Sequence, residues 1–246
     1  MKKLNSELGK MSLVLVPMVL QPFLNFCFLL LVARRAPMEE YGGLALSIVL
    51  LSLIVGFADL GLRDYLLSKS AVRRGLSTGE NLLVPSTLGL VVLAGMSLAY
   101  TGYLGDADIA FALLSWALPE ALAFGVLQRC LFFHYQRQDR LVHFSTLDAI
   151  HKSAPFAVKL GVYWFSGELV VAVACGACVA LASYMIWFQL TCLRSGTFFS
   201  SELRPLRSLV TMFRLWRAWL PFTISFFAFF LYFGSDRLLV EALMGA

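Results

Sequence analysis

Charged side chains are scarce in this 246-residue chain, in which Lys, Arg, Asp and Glu together make up 14% of the residues. A soluble domain is about half apolar and a quarter charged, whereas this chain is 59% hydrophobic. The net charge of +5 does not indicate a nucleic-acid partner, because the basic residues fall in short loops between apolar runs and form no single face. The composition therefore predicts a protein whose surface is in contact with lipid.

Motifs for catalysis or for cofactor binding are missing as well. The sequence contains no nucleophile elbow, no Gly-rich phosphate loop and no HExxH motif, so we expect neither an enzyme nor a bound cofactor or metal. One CxxC occurs, Cys175-Gly-Ala-Cys178, and it has no second pair or neighbouring histidine that would complete a zinc site. We interpret it as small residues that pack one membrane helix on another, the alternative being a redox or zinc pair.

Long apolar runs are abundant. A bilayer core about 30 Å thick requires about 20 apolar residues in a helix, and seven segments meet this length. They span residues 11–33, 42–67, 82–104, 109–133, 145–165, 169–193 and about 218–246. The prediction is an all-α integral membrane protein, a polytopic bundle of about seven transmembrane helices.

The segments divide the chain into three parts. Residues 1–193 are predicted to form a first bundle of six helices, and residues 218–246 the first helix of an incomplete second bundle. In the intervening residues 194–217, apolar side chains recur at helical spacing with arginines on other faces, which predicts an amphipathic linker at the cytoplasmic surface. A frayed amino end of the seventh helix is the alternative.

The distribution of Lys and Arg predicts the orientation. The amino end and the loops after the second, fourth and sixth segments contain several basic residues. The alternate loops at residues 105–108 and 166–168 contain none, and Arg34 and Arg35 are the exception. By the positive-inside rule the amino terminus is cytoplasmic.

Charges near the end of the second segment have two explanations. Asp59 and Arg63 are four residues apart, close to the predicted cytoplasmic interface, and can pair on one helix face. They are either an interface salt bridge that ends the helix or part of an ion-coupling or gating site.

Four residues of the fifth segment share one face. Asp148, Lys152, Pro155 and Lys159 are spaced i, i+4, i+7 and i+11. Lys159 is about 20 Å from the cytoplasmic end of the helix, too deep to reach water through lipid, so we expect it to face a polar cavity. Lys152 is closer to the surface and can snorkel to it. We expect Pro155, which lacks a backbone donor, to bend the helix toward the cavity.

Further charges fall inside the fourth and seventh segments. Glu120 is predicted near the bilayer centre and Arg129 nearer the cytoplasm; nine residues apart, they point to nearly opposite faces and do not pair. Asp236 and Arg237 lie about ten residues from the end of the chain. Charged side chains at such depths cost about 2.5–3.5 kcal/mol each, so they tend to face a partner or a wet cavity.

These charges predict a wet interior with both signs and a cationic stripe on the fifth helix. Cations in such a cavity suit an anionic cargo such as a lipid diphosphate, and the candidates are Lys159, Lys152, Arg129 and Arg237. Buried carboxylates suit ion coupling or gating, and the candidates are Glu120, Asp236, Asp59 and Asp148, with Arg63 as a neighbouring cation.

Three short stretches resemble the polysaccharide flippases, members of the superfamily that includes the multidrug and toxin antiporters. Residues 29–46, LLLVARRAPMEEYGGLAL, resemble the end of the first helix and its outer loop in that family. Residues 57–62, FADLGL, and residues 235–239, SDRLL, resemble the following Ala-Asp-Leu-Gly-Leu motif and the Asp-Arg pair of the seventh helix. Arg35 and Ala36 depart from the more frequent Leu-Gly pair, and Met38 precedes the two glutamates.

The resemblance implies a flippase of the bacterial inner membrane. Such a protein moves an undecaprenyl-diphosphate-linked oligosaccharide between leaflets by alternating access, with a polysaccharide polymerase and glycosyltransferases as possible partners. Family members have twelve to fourteen helices in two bundles, so the chain is expected to be a fragment, a truncated reading frame or a half-transporter. A cation-coupled small-molecule antiporter and a non-transporting membrane scaffold are the alternatives.

Overall fold

The computed structural model describes residues 2–57, 66, 80–103, 108–193, 210, 220, 221 and 224, and of residues 2–18 only the backbone. Within these residues the chain is helical apart from short turns, and it contains no strand. The all-α prediction is therefore confirmed for the part described. The proposed linker 194–217 and the seventh segment fall outside these residues except for the four isolated positions.

The helices follow the first six apolar segments. They are α1 (Lys2–Arg35), α2 (Met38–Phe57), α3 (Glu80–Tyr103), α4 (Asp108–Leu122), α5 (Gln128–Arg137), α6 (Leu141–Ser166) and α7 (Leu169–Phe188). A π-helical turn, Ala123–Leu127, joins α4 to α5 with helical dihedral angles at both junctions, so the predicted fourth segment is one continuous rod. A second π-helical turn, Gln189–Leu193, extends α7.

Within the described part of the chain, four stretches have the length and apolar composition to cross a membrane. They are Met38–Gly56, Leu82–Tyr100, Ile109–Arg137 and Leu169–Cys192. Their composition indicates a membrane protein, in agreement with the sequence. The helix α6 is not among the four, because charged and polar side chains interrupt its apolar sequence. The number of seven spans and the cytoplasmic amino terminus stay predictions.

The helices pack in an order that differs from their order in the chain. Helix α1 packs along α6, α6 along α7, α7 along α4, and α4 along α2, with α3 against α4 and α2. Helices α6 and α7 are joined by a tight turn at Gly167, whose φ of 72° lies in the left-handed region that glycine adopts without strain. Helices α1 and α2, although consecutive, scarcely touch each other, which leaves an opening between them.

Two apolar cores stabilise this arrangement. The larger joins α2, α3, the α4–α5 rod, the start of α6 and α7, and the smaller joins α1, α2, α4, α6 and α7. In the larger core Trp187 stacks on His151, with ring centroids 4.8 Å apart, and on Phe144, with centroids 5.5 Å apart. The indole N–H of Trp187 donates a hydrogen bond to the hydroxyl of Tyr135 at 3.3 Å. These aromatic contacts bind α5, α6 and α7 together.

Small residues allow close helix contacts at two places. Gly176 and Ala177, the central residues of the CxxC segment, are buried, which confirms a packing role for that part of the segment. Its two cysteines do not pack as expected: Cys175 is half-buried, Cys178 is exposed, and both are free thiols. At the second place Gly43 of α2 lies against α4, where an added Cβ would be 3.1 Å from Ile109 Cγ2.

Two adjacent glycines provide a test of the α2–α4 contact. We expect Gly43→Leu to lower the free energy of unfolding by about 1–3 kcal/mol, because the side chain would push α2 away from α4. Gly42→Leu is the matched control, since a Cβ at Gly42 meets no atom within 4 Å. Equilibrium unfolding in detergent measures both. Equal losses in the two variants would contradict the packing described here.

Candidate functional site

A buried ion pair joins α4 to α6. The Nζ atom of Lys159 lies 2.6 Å from Oε2 of Glu120, 39 residues away in the chain. The side chain of Lys159 is 9% exposed and that of Glu120 is 3% exposed, so the pair is almost completely buried inside the bundle. The sequence predicted both residues as membrane-interior charges but did not predict that they pair. Because both groups are buried, each charge lowers the free-energy cost of burying the other.

The side chain of Lys159 extends toward Glu120 through a space that is open because residue 176 is a glycine. A Cβ at Gly176 of α7 would lie 2.4 Å from Cγ and 2.7 Å from Cε of Lys159, closer than such atoms can approach. The ammonium group lies 5.0 Å from the ring centroid of Phe156, a distance at which a cation and an aromatic face attract. Gly176 is therefore a positioning residue for Lys159 that the sequence interpretation missed.

Glu120 lies in an irregular part of its helix. Pro119, which has no backbone N–H, precedes it, and the π-helical turn Ala123–Leu127 begins three residues after it. Single π-helical turns inside α-helices are frequent at functional sites. No feature of the sequence indicated this turn, and it marks the same short stretch as the buried pair.

A polar cavity of about 250 Å³ adjoins the ion pair at the opening between α1 and α2. Its polar lining consists of Gln21, Asn25, Ser47, Ser52, Glu120 and Lys159, and its aromatic lining of Phe28, Phe124 and Phe156. The other six lining residues are aliphatic, so the polar groups form the smaller part of the wall. The two serine hydroxyls donate hydrogen bonds to carbonyls of their own helix, at 2.8 Å for Ser47 and 2.7 Å for Ser52. Their oxygen lone pairs are therefore available to accept hydrogen bonds or to bind a cation. Lys159 thus lines a cavity together with other polar side chains, and a wet, cargo-binding interior stays a prediction.

The two amides Gln21 and Asn25 were missed by the sequence interpretation. They are four residues apart in the first apolar run and so share one helix face. Uncharged polar residues at helical spacing within an apolar run are the signal that would have identified them.

A second ionic cluster surrounds Asp148 and has a different character. Its two carboxylate oxygens accept three hydrogen bonds: from Lys152 at 2.9 Å, from the amide of Gln128 at 3.1 Å and from the hydroxyl of Tyr184 at 2.6 Å. These donors lie on α6, α5 and α7, so the carboxylate connects three helices. Among the residues described, Glu120 has a single hydrogen-bond partner. Asp148 is thus suited to a structural role, and Glu120 is the carboxylate available to the cavity.

Arg129 lies at the end of α2. Its guanidinium group donates hydrogen bonds to the carbonyls of Val55 and Gly56, in the last turn of that helix. The structure therefore gives Arg129 a contact with the last described turn of α2, and its proposed role in cargo binding stays a prediction.

The shared face of α6 is confirmed, because Asp148, Pro155 and Lys159 are all buried. The two lysines of this face each pair with a carboxylate, Lys152 with Asp148 of the same helix and Lys159 with Glu120 of α4. That the face is a cationic surface for cargo stays a prediction. Four further candidates, Asp59, Arg63, Asp236 and Arg237, lie outside the described residues.

Comparisons of the chain with models of known protein families, with curated proteins and with solved structures find no match. The resemblance to polysaccharide flippases therefore stays an expectation from the three short stretches of sequence.

Removing one member of the Glu120–Lys159 pair should lower the free energy of unfolding more than removing both. We expect Lys159→Met to lower the free energy of unfolding by about 3–5 kcal/mol, because it leaves a buried carboxylate without its partner. The double variant Lys159→Met, Glu120→Gln should recover most of this loss. Equilibrium unfolding in detergent gives both values.

The control for this cycle is Lys152→Met, whose partner Asp148 keeps two other donors and whose own side chain is 25% exposed. It should destabilise the protein much less than Lys159→Met. A double variant as unstable as Lys159→Met alone would show that the two charges do not depend on each other.

Proposed function

We propose that the chain functions as a membrane transporter of the flippase type, moving an undecaprenyl-diphosphate-linked oligosaccharide across the bacterial inner membrane by alternating access. The observation that favours this function is the Glu120–Lys159 pair in the wall of a polar cavity between α1 and α2. A bundle with a purely structural role could be held together by apolar contacts, which cost less in lipid than charges do. A transporter of a polar head group requires polar groups at this depth.

The pair suits a site that alternates between two sets of partners. In the described state Lys159 is neutralised by Glu120. A diphosphate that enters the cavity would compete for the ammonium group, since phosphate oxygens are strong acceptors for charged donors. Glu120 would then need a proton or another cation to stay in the membrane interior. Cargo binding and cation binding are coupled in this scheme because the two side chains cannot remain buried apart.

A cation-coupled small-molecule antiporter is the second candidate. The observation that favours it is the size of the cavity, about 250 Å³, which is too small for an oligosaccharide and lies just below the range of about 300–1,000 Å³ typical of small-molecule sites. The amide and hydroxyl oxygens of Gln21, Asn25 and Ser47 beside Glu120 are also suitable ligands for a hard cation.

Reconstitution separates the two candidates. We expect the chain in liposomes to speed the transfer of a fluorescent undecaprenyl-diphosphate-linked sugar between leaflets, measured by the access of an impermeant quencher. The double variant Lys159→Met, Glu120→Gln should transfer the lipid at least about tenfold more slowly, which is the size of effect expected when a charged contact is removed. An entrapped pH dye reports proton movement in the same vesicles.

The matched control neutralises one basic and one acidic residue that do not line the cavity. Arg137→Gln, Asp139→Asn changes two exposed residues at the α5–α6 turn, and Asn tolerates the positive φ of 56° at residue 139. This variant should transfer the lipid at the parent rate. Proton movement without lipid transfer would favour the antiporter, and the absence of both in folded protein would contradict a transport function.

A further inference from the structure

A second concave surface lies on the other side of α1, away from the polar cavity. It is a groove of about 530 Å³ between α1 and α6, and its walls are apolar along most of its length. On α1 the groove runs from Leu24 past Leu31 to Arg34, whereas the polar cavity uses Gln21 and Asn25. The groove and the cavity therefore occupy different faces of the same helix.

The length of the groove matches one leaflet of a bilayer. Leu24 and Arg34 are ten residues apart, which corresponds to about 15 Å along a helix. The hydrocarbon core of a bilayer is about 30 Å thick, so this is the depth of one leaflet. Trp164 and Phe165 line the same end of the groove as Arg34 and are exposed, as is typical of aromatic residues at the membrane–water interface. The groove thus runs from the interface toward the middle of the membrane.

A glycine keeps the groove open. Gly161 of α6 lines it, and a Cβ added to this residue would meet no atom within 4 Å. The space in front of Gly161 is therefore available to a chain from outside the protein.

The end of the groove at the interface is cationic. The guanidinium group of Arg35 donates to the Trp164 carbonyl at 3.2 Å and lies 4.6 Å from the centroid of its ring, so it fixes one wall of the groove. Arg34 is exposed and lines the groove itself. Glu39 and Glu40 follow at the start of α2, but no carboxylate of the described residues forms an ion pair with Arg34. A mouth of this kind complements an anionic group.

We propose that this groove binds an anionic phospholipid of the surrounding leaflet. One acyl chain lies along the apolar walls in front of Gly161, and the phosphate group contacts Arg34. An apolar slot one leaflet deep with a cation at the interface fits a molecule that has a hydrocarbon chain and a negatively charged head. The site is independent of the proposed transport function, since it shares no residue with the polar cavity.

Fluorescence quenching by brominated lipids tests this site. The chain is reconstituted into phosphatidylcholine vesicles that contain dibromo-phosphatidylglycerol or, at the same mole fraction, dibromo-phosphatidylcholine. The difference in quenching between the parent and Trp164→Phe isolates the signal of Trp164. We expect phosphatidylglycerol to occupy the site about fivefold more than phosphatidylcholine, the preference that one arginine gives for an anionic lipid. Equal quenching by the two lipids would overturn the proposal.

Two variants locate the binding. Arg34→Gln should reduce the preference for phosphatidylglycerol to near equality, whereas Arg140→Gln, which changes an exposed arginine at the opposite end of α6, should leave it unchanged. Gly161→Leu should lower the quenching by both lipids because it fills the groove, and Gly95→Leu is its control, as Gly95 lies on the exposed face of α3 with no atom within 4 Å of an added Cβ.

Two outcomes would contradict the assignment. Unchanged quenching in Gly161→Leu would place the lipid elsewhere on the protein. Displacement of dibromo-phosphatidylglycerol by an equal mole fraction of undecaprenyl phosphate would assign the groove to a polyprenyl lipid instead of a phospholipid. Neither result bears on transport through the polar cavity, which the reconstitution of labelled cargo tests separately.

Discussion

The arrangement of the bundle depends on one constraint: two opposite charges in a low-dielectric interior must remain together. Glu120 and Lys159 lie on α4 and α6, which are not consecutive in the chain, and α7 packs against both of these helices. The lysine chain crosses this interface where Gly176 leaves room for it. Separating the charges would leave each of them buried without a partner, so arrangements of α4 and α6 that part them are disfavoured.

The two carboxylates in the bundle illustrate how surroundings divide similar groups between structural and functional roles. Asp148 is held by donors from three helices, and a change in any one of them leaves the others in place. Glu120 has Lys159 as its one partner in the described part of the chain, and it borders the cavity. A site that exchanges partners needs a group of the second kind, because a fully satisfied carboxylate gains little from a new ligand. The chemistry of the protein is therefore expected at the α4–α6 pair, with the Asp148 cluster as its support.

Local features of this protein could be predicted from the sequence, and long-range pairings could not. Each helix is an apolar run whose length is set by the residues within it, and the shared face of Asp148 and Lys159 follows from helical spacing alone. The partner of Lys159 could not be predicted, because 39 residues and the packing order of the helices separate it from Glu120. The hydrogen bonds of Arg129 to the carbonyls of Val55 and Gly56 were not predicted either, because carbonyl acceptors belong to the folded backbone and no side-chain pattern reveals them. The π-helical turn after Glu120 was invisible for the same reason.

The contact between Gly176 and Lys159 also restricts the order in which this sequence can change. A side chain cannot be introduced at position 176 while a long lysine occupies the space, and the lysine cannot be shortened while Glu120 retains its charge. A mutational path away from the present interior therefore changes Glu120 and Lys159 together and reaches Gly176 last. Glu120, Lys159 and Gly176, which lie on three different helices, are thus expected to change in a linked way, and Gly176 is the last of the three that can accept a side chain.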